Sequence, residues 1–145
     1  MKSAHPLPKQ AKVQIANAIA AAERRTSAEL KVIICRHCWA DLREKARSLF
    51  YKHKLDQTKQ RNAVMIFLVL VERQFLVYGD QGIHEKVGDD FWLEVCDVMR
   101  KSFQQGSLAE GVCKGIEVIG AQLAAHFPRD KHDSNEISDE VIGEA

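Results

Sequence analysis

The 145-residue chain lacks an excess of charge of either sign. Twenty-one Lys and Arg residues stand against twenty Asp and Glu residues, which gives a formal net charge of +1. No long-range field therefore draws the protein towards nucleic acid or an anionic membrane, and we expect no nucleic-acid partner. A local basic patch is still compatible with this total.

The chain also lacks a long hydrophobic run and a targeting segment. The longest apolar stretch, Ala63 to Val71, is about half as long as a membrane-spanning helix. Residues 1–10 contain no apolar run of the kind found in signal peptides. If the sequence is full length, these absences predict a soluble protein in the cytoplasm.

The four cysteines form no recognisable disulfide or metal framework. A chain of this length with 46% hydrophobic residues needs no disulfides, so we expect reduced thiols. Cys35 and Cys38 form a C-x-x-C pair, but Cys96 and Cys113 lack the spacing of a second zinc-binding pair. We interpret the first pair as small side chains at the end of a strand, with thiol reactivity as the alternative.

The hydrophobic pattern predicts a single α/β domain. Helices are predicted at residues 9–25, 40–54, 91–103 and 108–123, and strands at residues 29–36, 62–71 and 74–78. Ser107 and Glu110 form a capping box before the last helix, and Pro128 ends that helix. We assign residues 1–128 to one domain and residues 129–145 to a polar, flexible tail.

The order of the elements brings the ends of three strands to one edge of the sheet. A strand–helix–strand unit joins two parallel strands by a right-handed crossover, and the hairpin returns the third strand antiparallel. The first strand starts at Glu29, the second starts at Arg61 and Asn62, and the third ends at Gly79 and Asp80. We therefore expect these five residues to lie at the same edge.

Acidic residues near this edge predict a divalent-cation site. Glu29, Asp80 and Asp89 come from separate segments, and Asp90 is a fourth candidate ligand. Calcium is bound by several oxygens from flexible loops, including backbone carbonyls. Nearby glycines would let the backbone turn its carbonyls towards such an ion. Calcium or another divalent cation is therefore the expected cofactor.

Each of these acidic residues also has an ordinary structural interpretation. Asp89 would be a natural N-cap for the following helix. Asp80 is a common turn residue, and Glu29 would form an ion pair with Arg61. Only the convergence of the residues at one edge favours a binding site over these alternatives.

Several segments of the chain resemble the TPM domain family. The resemblance spans residues 9–140. Its motifs are Thr26-Ser27-Ala28-Glu29, Thr58 with Arg61-Asn62, Gly79-Asp80-Gln81-Gly82-Ile83, Gly88 and His126-Phe127-Pro128. The resemblance implies a three-layer α/β/α sandwich around a small mixed sheet. It also implies divalent-cation binding, which we carry over to Glu29, Asp80 and Asp89, with Asp90 as a fourth candidate.

Relatives in this family differ widely in function. They include an acid phosphatase of the thylakoid lumen, a photosystem assembly factor and an accessory protein of a neurotransmitter receptor. Many relatives have glycine where this chain has Ala28 and Ala63, and many have a signal peptide and a membrane anchor. The exported or lumenal roles of these relatives therefore do not transfer directly.

Two functional hypotheses follow. The first is a binding or accessory module in which the acidic edge holds calcium and the ordered loops meet a protein or membrane-associated partner. The alternative is a weak metal-dependent acid phosphatase, in which Arg61 and Thr58 would contact the phosphoryl anion. The motifs include no convincing nucleophile or histidine base, so the phosphatase hypothesis is second.

The two tryptophans bear on partner binding. We expect Trp39 and Trp92 to anchor helices on the sheet. An exposed position for either residue would instead make it a candidate for contacting a partner. The pattern specifies no transmembrane segment and no particular oligomeric state.

Overall fold

The computed structural model describes residues 7–129 and 141–144 of the chain. Its helices are α1 (Lys9–Glu23), α2 (Leu42–Lys52), α3 (Gln81–Val87), α4 (Asp89–Gln105) and α5 (Leu108–His126), and its strands are β1 (Leu30–Cys35), β2 (Val64–Val69), β3 (Gln74–Gly79) and β4 (Ile142–Glu144). A short 3-10 helix, Leu55–Gln57, follows α2. None of the described helices has the length and apolar content needed to cross a bilayer.

The four strands form one mixed sheet in the order β3-β2-β1-β4. β1 and β2 pair in parallel, with Leu30 opposite Val64 and Cys35 opposite Val69. β2 and β3 pair antiparallel as a hairpin, which places Val64 opposite Gly79. The predicted parallel pair joined by a helix and the predicted hairpin are both confirmed.

Alternating side chains give the sheet two apolar faces. Val32 and Ile34 of β1 pack in a core with α1, α4 and α5, whereas Ile33 and Cys35 lie in a second core beneath α2. Every residue of β1 and β2 is buried, which is why both strands read as nearly continuous apolar runs. Each large apolar side chain fully removed from water contributes about 1.5–3 kcal/mol. The expected three-layer α/β/α sandwich is therefore confirmed.

Residues 81–87 form α3, a helix that the hydrophobic pattern does not predict. Ile83 is the only buried residue of this helix, so its sequence lacks an apolar stripe. Asp80 caps the helix, because its side chain accepts a hydrogen bond from the backbone N–H of Gln81 at 2.8 Å. The segment between Asp80 and Gly88, to which the sequence analysis assigns no element, is therefore a short helix.

Residues 142–144 form β4, although the sequence analysis assigns residues 129–145 to a tail. β4 pairs in parallel with the second half of β1, and Ile142 lies opposite Ile33. A strand of three residues in a polar segment has too short a pattern to be recognised. Residues 130–140, for which flexibility is also predicted, lie outside the described residues.

Glu144 connects β4 to the C-terminal end of α2. Lys52 Nζ donates hydrogen bonds to Glu144 Oε1 at 3.0 Å and to Oε2 at 3.2 Å. His53 Nε2 lies 2.7 Å from Glu144 Oε2. Lys52, and then His53, hold the pKa of Glu144 below its ordinary value of 4.5, although burial opposes them. The folded protein therefore favours the ionised carboxylate.

A Glu144→Gln substitution should reduce stability in a pH-dependent way. Because the folded-state pKa of Glu144 is lowered, its carboxylate stabilises the fold above the unfolded-state pKa, and this contribution is lost as pH falls through the folded-state pKa. We expect the difference in unfolding free energy between wild type and variant to be largest above pH 4.5 and to shrink below it. Urea unfolding at several pH values measures this difference, and a difference independent of pH would contradict the assignment.

Candidate functional site

The candidate site lies at the sheet edge where β1 and β2 begin and β3 ends. The backbone N–H of Val64 donates to the carbonyl of Glu29 at 2.8 Å, and the N–H of Asp80 donates to the carbonyl of Ala63 at 2.9 Å. Glu29, Asn62 and Asp80 are all buried. The structure thus brings these segments to the same edge, as the topology predicts.

Arg61 and Asp80 form the central interaction of this edge. Arg61 Nε donates to Asp80 Oδ2 at 2.6 Å, and Arg61 Nη2 donates to Asp80 Oδ1 at 2.8 Å. This bidentate geometry gives the strongest kind of guanidinium–carboxylate pair. The hydrogen bonds to Asp80 raise the pKa of Arg61. Arg61 therefore binds Asp80, whereas the sequence analysis considers Glu29 as its partner.

The same junction fixes the loop before β2 against the start of α3. The N–H of Gly82 donates to the carbonyl of Arg61 at 2.7 Å. Arg61 adopts a left-handed backbone conformation with φ of 53°. A Cβ atom at Gly82 would lie 2.0 Å from the carbonyl oxygen of Gln60 and 2.5 Å from that of Arg61. Only glycine allows this approach of the two backbones.

Thr58 and Asn62 form a second polar pair behind the ion pair. The Thr58 hydroxyl accepts from the backbone N–H of Asn62 at 3.1 Å and donates to Asn62 Oδ1 at 3.3 Å. Both residues are buried. In the described part of the chain, Asn62 Nδ2 has no hydrogen-bond partner, but an N–H donor cannot coordinate a cation. Thr58, a predicted anion contact, is thus turned towards Asn62.

The Thr26 hydroxyl also stabilises the fold. It donates to the carbonyls of Leu123 and Phe127 and accepts from the N–H of Ala28. Thr26 is completely buried and bridges to Pro128. This motif therefore joins the end of α5 to the start of β1.

The four predicted acidic ligands lie on separate elements, except that Asp89 and Asp90 are neighbours in α4. Glu29 and Asp80 lie at strands separated by β2, which puts their backbones about 10 Å apart. The seven residues of α3 and then Gly88 lie between Asp80 and Asp89 along the chain. Among residues 7–129 and 141–144, no group of three His, Cys, Asp or Glu side chains could hold a metal ion.

Asp89 and Asp90 lie instead at the surface, in the first turn of α4. The Asp89 side chain is 88% exposed, and its Oδ1 lies 3.4 Å from His84 Nε2. Gly88, with φ of 76°, occupies the N-cap position of α4. The N-cap of α4 is therefore Gly88, so the N-cap role considered for Asp89 is wrong. Asp80, by contrast, does cap α3.

Two features are not indicated by sequence motifs: the burial of Lys31 and a hydrogen bond between Trp92 and His84. Lys31 is 1% exposed, on the same strand face as Glu29 beneath α2, where a lysine is unexpected. Trp92 Nε1 donates to His84 Nδ1 at 3.0 Å across the break between α3 and α4. The Trp92 ring lies against Gly79, where a Cβ would approach it to 2.4 Å. Trp92 thus packs on the sheet as predicted.

Trp39 corrects another expectation. Its side chain is not an anchor on the sheet, because the residue is 88% exposed.

The thiols of the C-x-x-C pair both bind backbone carbonyls. The Cys35 thiol donates to the carbonyl of His37 at 3.0 Å, and the Cys38 thiol donates to the carbonyl of Ala40 at 3.2 Å. All four cysteines are free thiols, and burial raises the pKa of Cys35. The C-x-x-C pair therefore lies at the strand end, as interpreted from the sequence.

A Gly82→Ala substitution should destabilise the protein. In an unconstrained helix it would be favourable by about 1 kcal/mol. Here the added methyl group would collide with the carbonyl of Gln60, so we expect a loss on the order of 1–3 kcal/mol in urea unfolding. Gly143→Ala is the matched control, because no atom lies within 4 Å of its added Cβ. Equal stability of the two variants would contradict a tight junction.

Comparisons with known proteins agree with this architecture. The model of the TPM domain family matches residues 1–122. The BA42 protein of the psychrophilic bacterium Bizionia argentinensis is 33% identical over 99% of each chain, with a TM-score of 0.91. An N-terminal domain from P. gingivalis is 20% identical, covers 87% of this chain and 83% of its own, and has a TM-score of 0.68.

An N-terminal domain from Corynebacterium glutamicum is 14% identical, covers 90% of this chain and 84% of its own, and has a TM-score of 0.61. At such identities, this domain and the one from P. gingivalis show similarity of fold alone. No curated protein matches the chain. The family match and the extensive likeness to BA42 lead to one conclusion: the chain belongs to the TPM domain family.

Proposed function

We propose that this TPM domain is a binding or accessory module rather than a hydrolase. The main support is the two-pronged ion pair between Arg61 and Asp80. Arg61 and Asp80 are the two side chains at the sheet edge that are best suited to binding or catalysis, and this ion pair engages them with each other inside the fold. A module of this kind acts through its exposed surfaces. The polar residues at the sheet edge then serve to stabilise the fold.

The phosphatase alternative has less support from the same geometry. A phosphoryl group could be clamped by Arg61 only if the guanidinium released Asp80. Both oxygens of Asp80 already accept hydrogen bonds, which lowers their reactivity as nucleophiles. The hydroxyls of Thr26 and Thr58 belong to buried residues and are engaged within the fold.

A divalent cation, calcium in the first place, remains part of the proposed function, with a reduced ligand set. Asp89 and Asp90 are adjacent, exposed carboxylates beside a glycine. We assign the ion to these two carboxylates because, among the described residues, no group of three His, Cys, Asp or Glu side chains could hold a metal ion. Calcium takes six to eight oxygen ligands, so water molecules and carbonyls would complete the shell. Such a site would belong to the weak class, with dissociation constants of about 10⁻⁴–10⁻³ M.

Calcium titration followed by amide NMR tests the cation proposal. We expect saturable shifts of Gly88, Asp89 and Asp90 with a dissociation constant of about 10⁻⁴–10⁻³ M, because two carboxylates bind weakly. A variant with Asp89→Asn and Asp90→Asn should lose these shifts. Asp97→Asn, which removes an exposed carboxylate from the middle of α4, is the control and should keep them.

Two outcomes of this titration would contradict the proposal. An absence of saturable shifts at millimolar calcium would remove the cation from the function. Saturable shifts centred on Glu29 and Asp80 would instead support the converging site expected from the sequence.

A phosphatase assay separates the two functional classes. With a chromogenic phosphate monoester and added Ca²⁺, Mg²⁺ or Mn²⁺, we expect no turnover above that of an Arg61→Gln variant purified in the same way. The physical reason is that Arg61 and Asp80 are engaged with each other. Metal-dependent turnover that is lost in Arg61→Gln, while the circular dichroism spectrum is unchanged, would favour the phosphatase.

A further inference from the structure

Positive charge is concentrated in one part of the chain. Residues 36–61 contain eight Lys and Arg residues and three Asp and Glu residues, a formal charge of +5. The whole chain has a formal charge of +1, so the remaining residues sum to −4. The near-neutral total therefore conceals a strongly basic segment, which contains α2 and the loops on either side of it.

Two arginines of this segment are available for an external partner. Arg43 and Arg47 are exposed and lie one turn apart on α2. Neither forms an ion pair among the described residues, whereas Lys52 and Arg61 are paired with carboxylates. Tyr51, which is 46% exposed, follows one turn later. We call Trp39, Arg43, Arg47 and Tyr51 the α2 surface.

Trp39 stands out from the protein at the N-terminal end of this helix. Its ring stacks on that of His37, with centroids 4.9 Å apart and an angle of 15° between the planes. The backbone N–H of Cys38 donates to Glu72 Oε1 at 3.0 Å, which ties the loop to the β2–β3 turn. The 88% exposed indole is therefore held in place before any partner binds. Preorganisation of this kind reduces the entropy cost of binding.

The chemistry of the α2 surface fits a bilayer containing anionic lipids. Tryptophan and tyrosine favour the membrane–water interface, because their rings combine an apolar body with a polar group. Lysine and arginine close to an anionic bilayer are each attracted to its negative surface potential. Within the described part of the chain, α2 and the short 3-10 helix after it cover this side of the sheet. The outer side of α2 is therefore a helix surface that can lie flat on a bilayer. An extended acidic peptide would instead bind more favourably in a groove than on this convex helix surface.

We propose that the α2 surface is a peripheral membrane-binding surface that recognises anionic lipid headgroups. In the bound state, Arg43 and Arg47 contact the headgroups, and Trp39 enters the interfacial layer. The proposal does not depend on calcium or on the sheet edge, since none of its four residues belongs to the Arg61–Asp80 junction. Its failure would therefore leave the proposed cation contact untouched.

Flotation of the full chain with lipid vesicles tests this proposal. We expect binding to phosphatidylcholine vesicles that contain phosphatidylserine, weak or no binding to phosphatidylcholine alone, and release by salt. The double variant Arg43→Gln with Arg47→Gln should bind on the order of 30-fold more weakly, from about fivefold for each charge. The matched control is Arg100→Gln with Lys101→Gln, which removes two exposed charges from α4 and should bind almost as wild type.

Tryptophan fluorescence tests the indole separately. Emission should shift to shorter wavelength with phosphatidylserine vesicles, and Trp39→Phe should abolish the shift although Trp92 is retained. Because Trp39 is exposed, this substitution should leave the unfolding transition unchanged.

Several results would overturn the proposal. These are an absence of vesicle binding at low salt, equal weakening in the α2 and α4 double variants, or vesicle binding without a change in Trp39 emission. Preferential binding of poly-glutamate or single-stranded DNA in competition with the vesicles would assign the surface to another class of polyanion.

Discussion

The ion pair between Arg61 and Asp80 joins three parts of the fold at one point. Arg61 lies where the chain enters β2, and Asp80 lies where it leaves β3 and caps α3. Asp80 is almost completely buried, so loss of its partner would leave a charge with too few compensating interactions. The close approach of Gly82 to the carbonyl of Gln60 fixes the same junction sterically. The polar edge of the sheet is therefore a structural junction, and this limits the chemistry that it can perform.

Groups available for binding lie apart from this junction. Asp89 and Asp90 are exposed in the first turn of α4, and Arg43 and Arg47 are exposed on α2. Removal of these charges breaks no buried interaction, so the surfaces can differ between relatives without loss of the fold. This separation gives a physical reason why binding surfaces on this fold can change while the fold is retained.

The sequence predicts the layers because each depends on a local pattern. β1 and β2 are recognisable as buried apolar runs, and the hairpin follows from its tight turn. The ligand set depends on distances that topology alone does not set. A common edge still leaves Glu29 and Asp80 separated by one strand, and the unpredicted α3 separates Asp80 from Asp89. The expected anchoring of Trp39 is likewise wrong, because tryptophan is highly buried on average and the local sequence does not indicate that this one is exposed.

The most direct test of this account is a double-mutant cycle that combines Arg61→Gln with Asp80→Asn in urea unfolding at neutral pH. If the pair holds the junction, each single variant is less stable than wild type. Arg61→Gln then costs much less stability in the Asp80→Asn background than in the wild-type background. Additive losses, or single variants as stable as wild type, would contradict the claim that this pair organises the sheet edge.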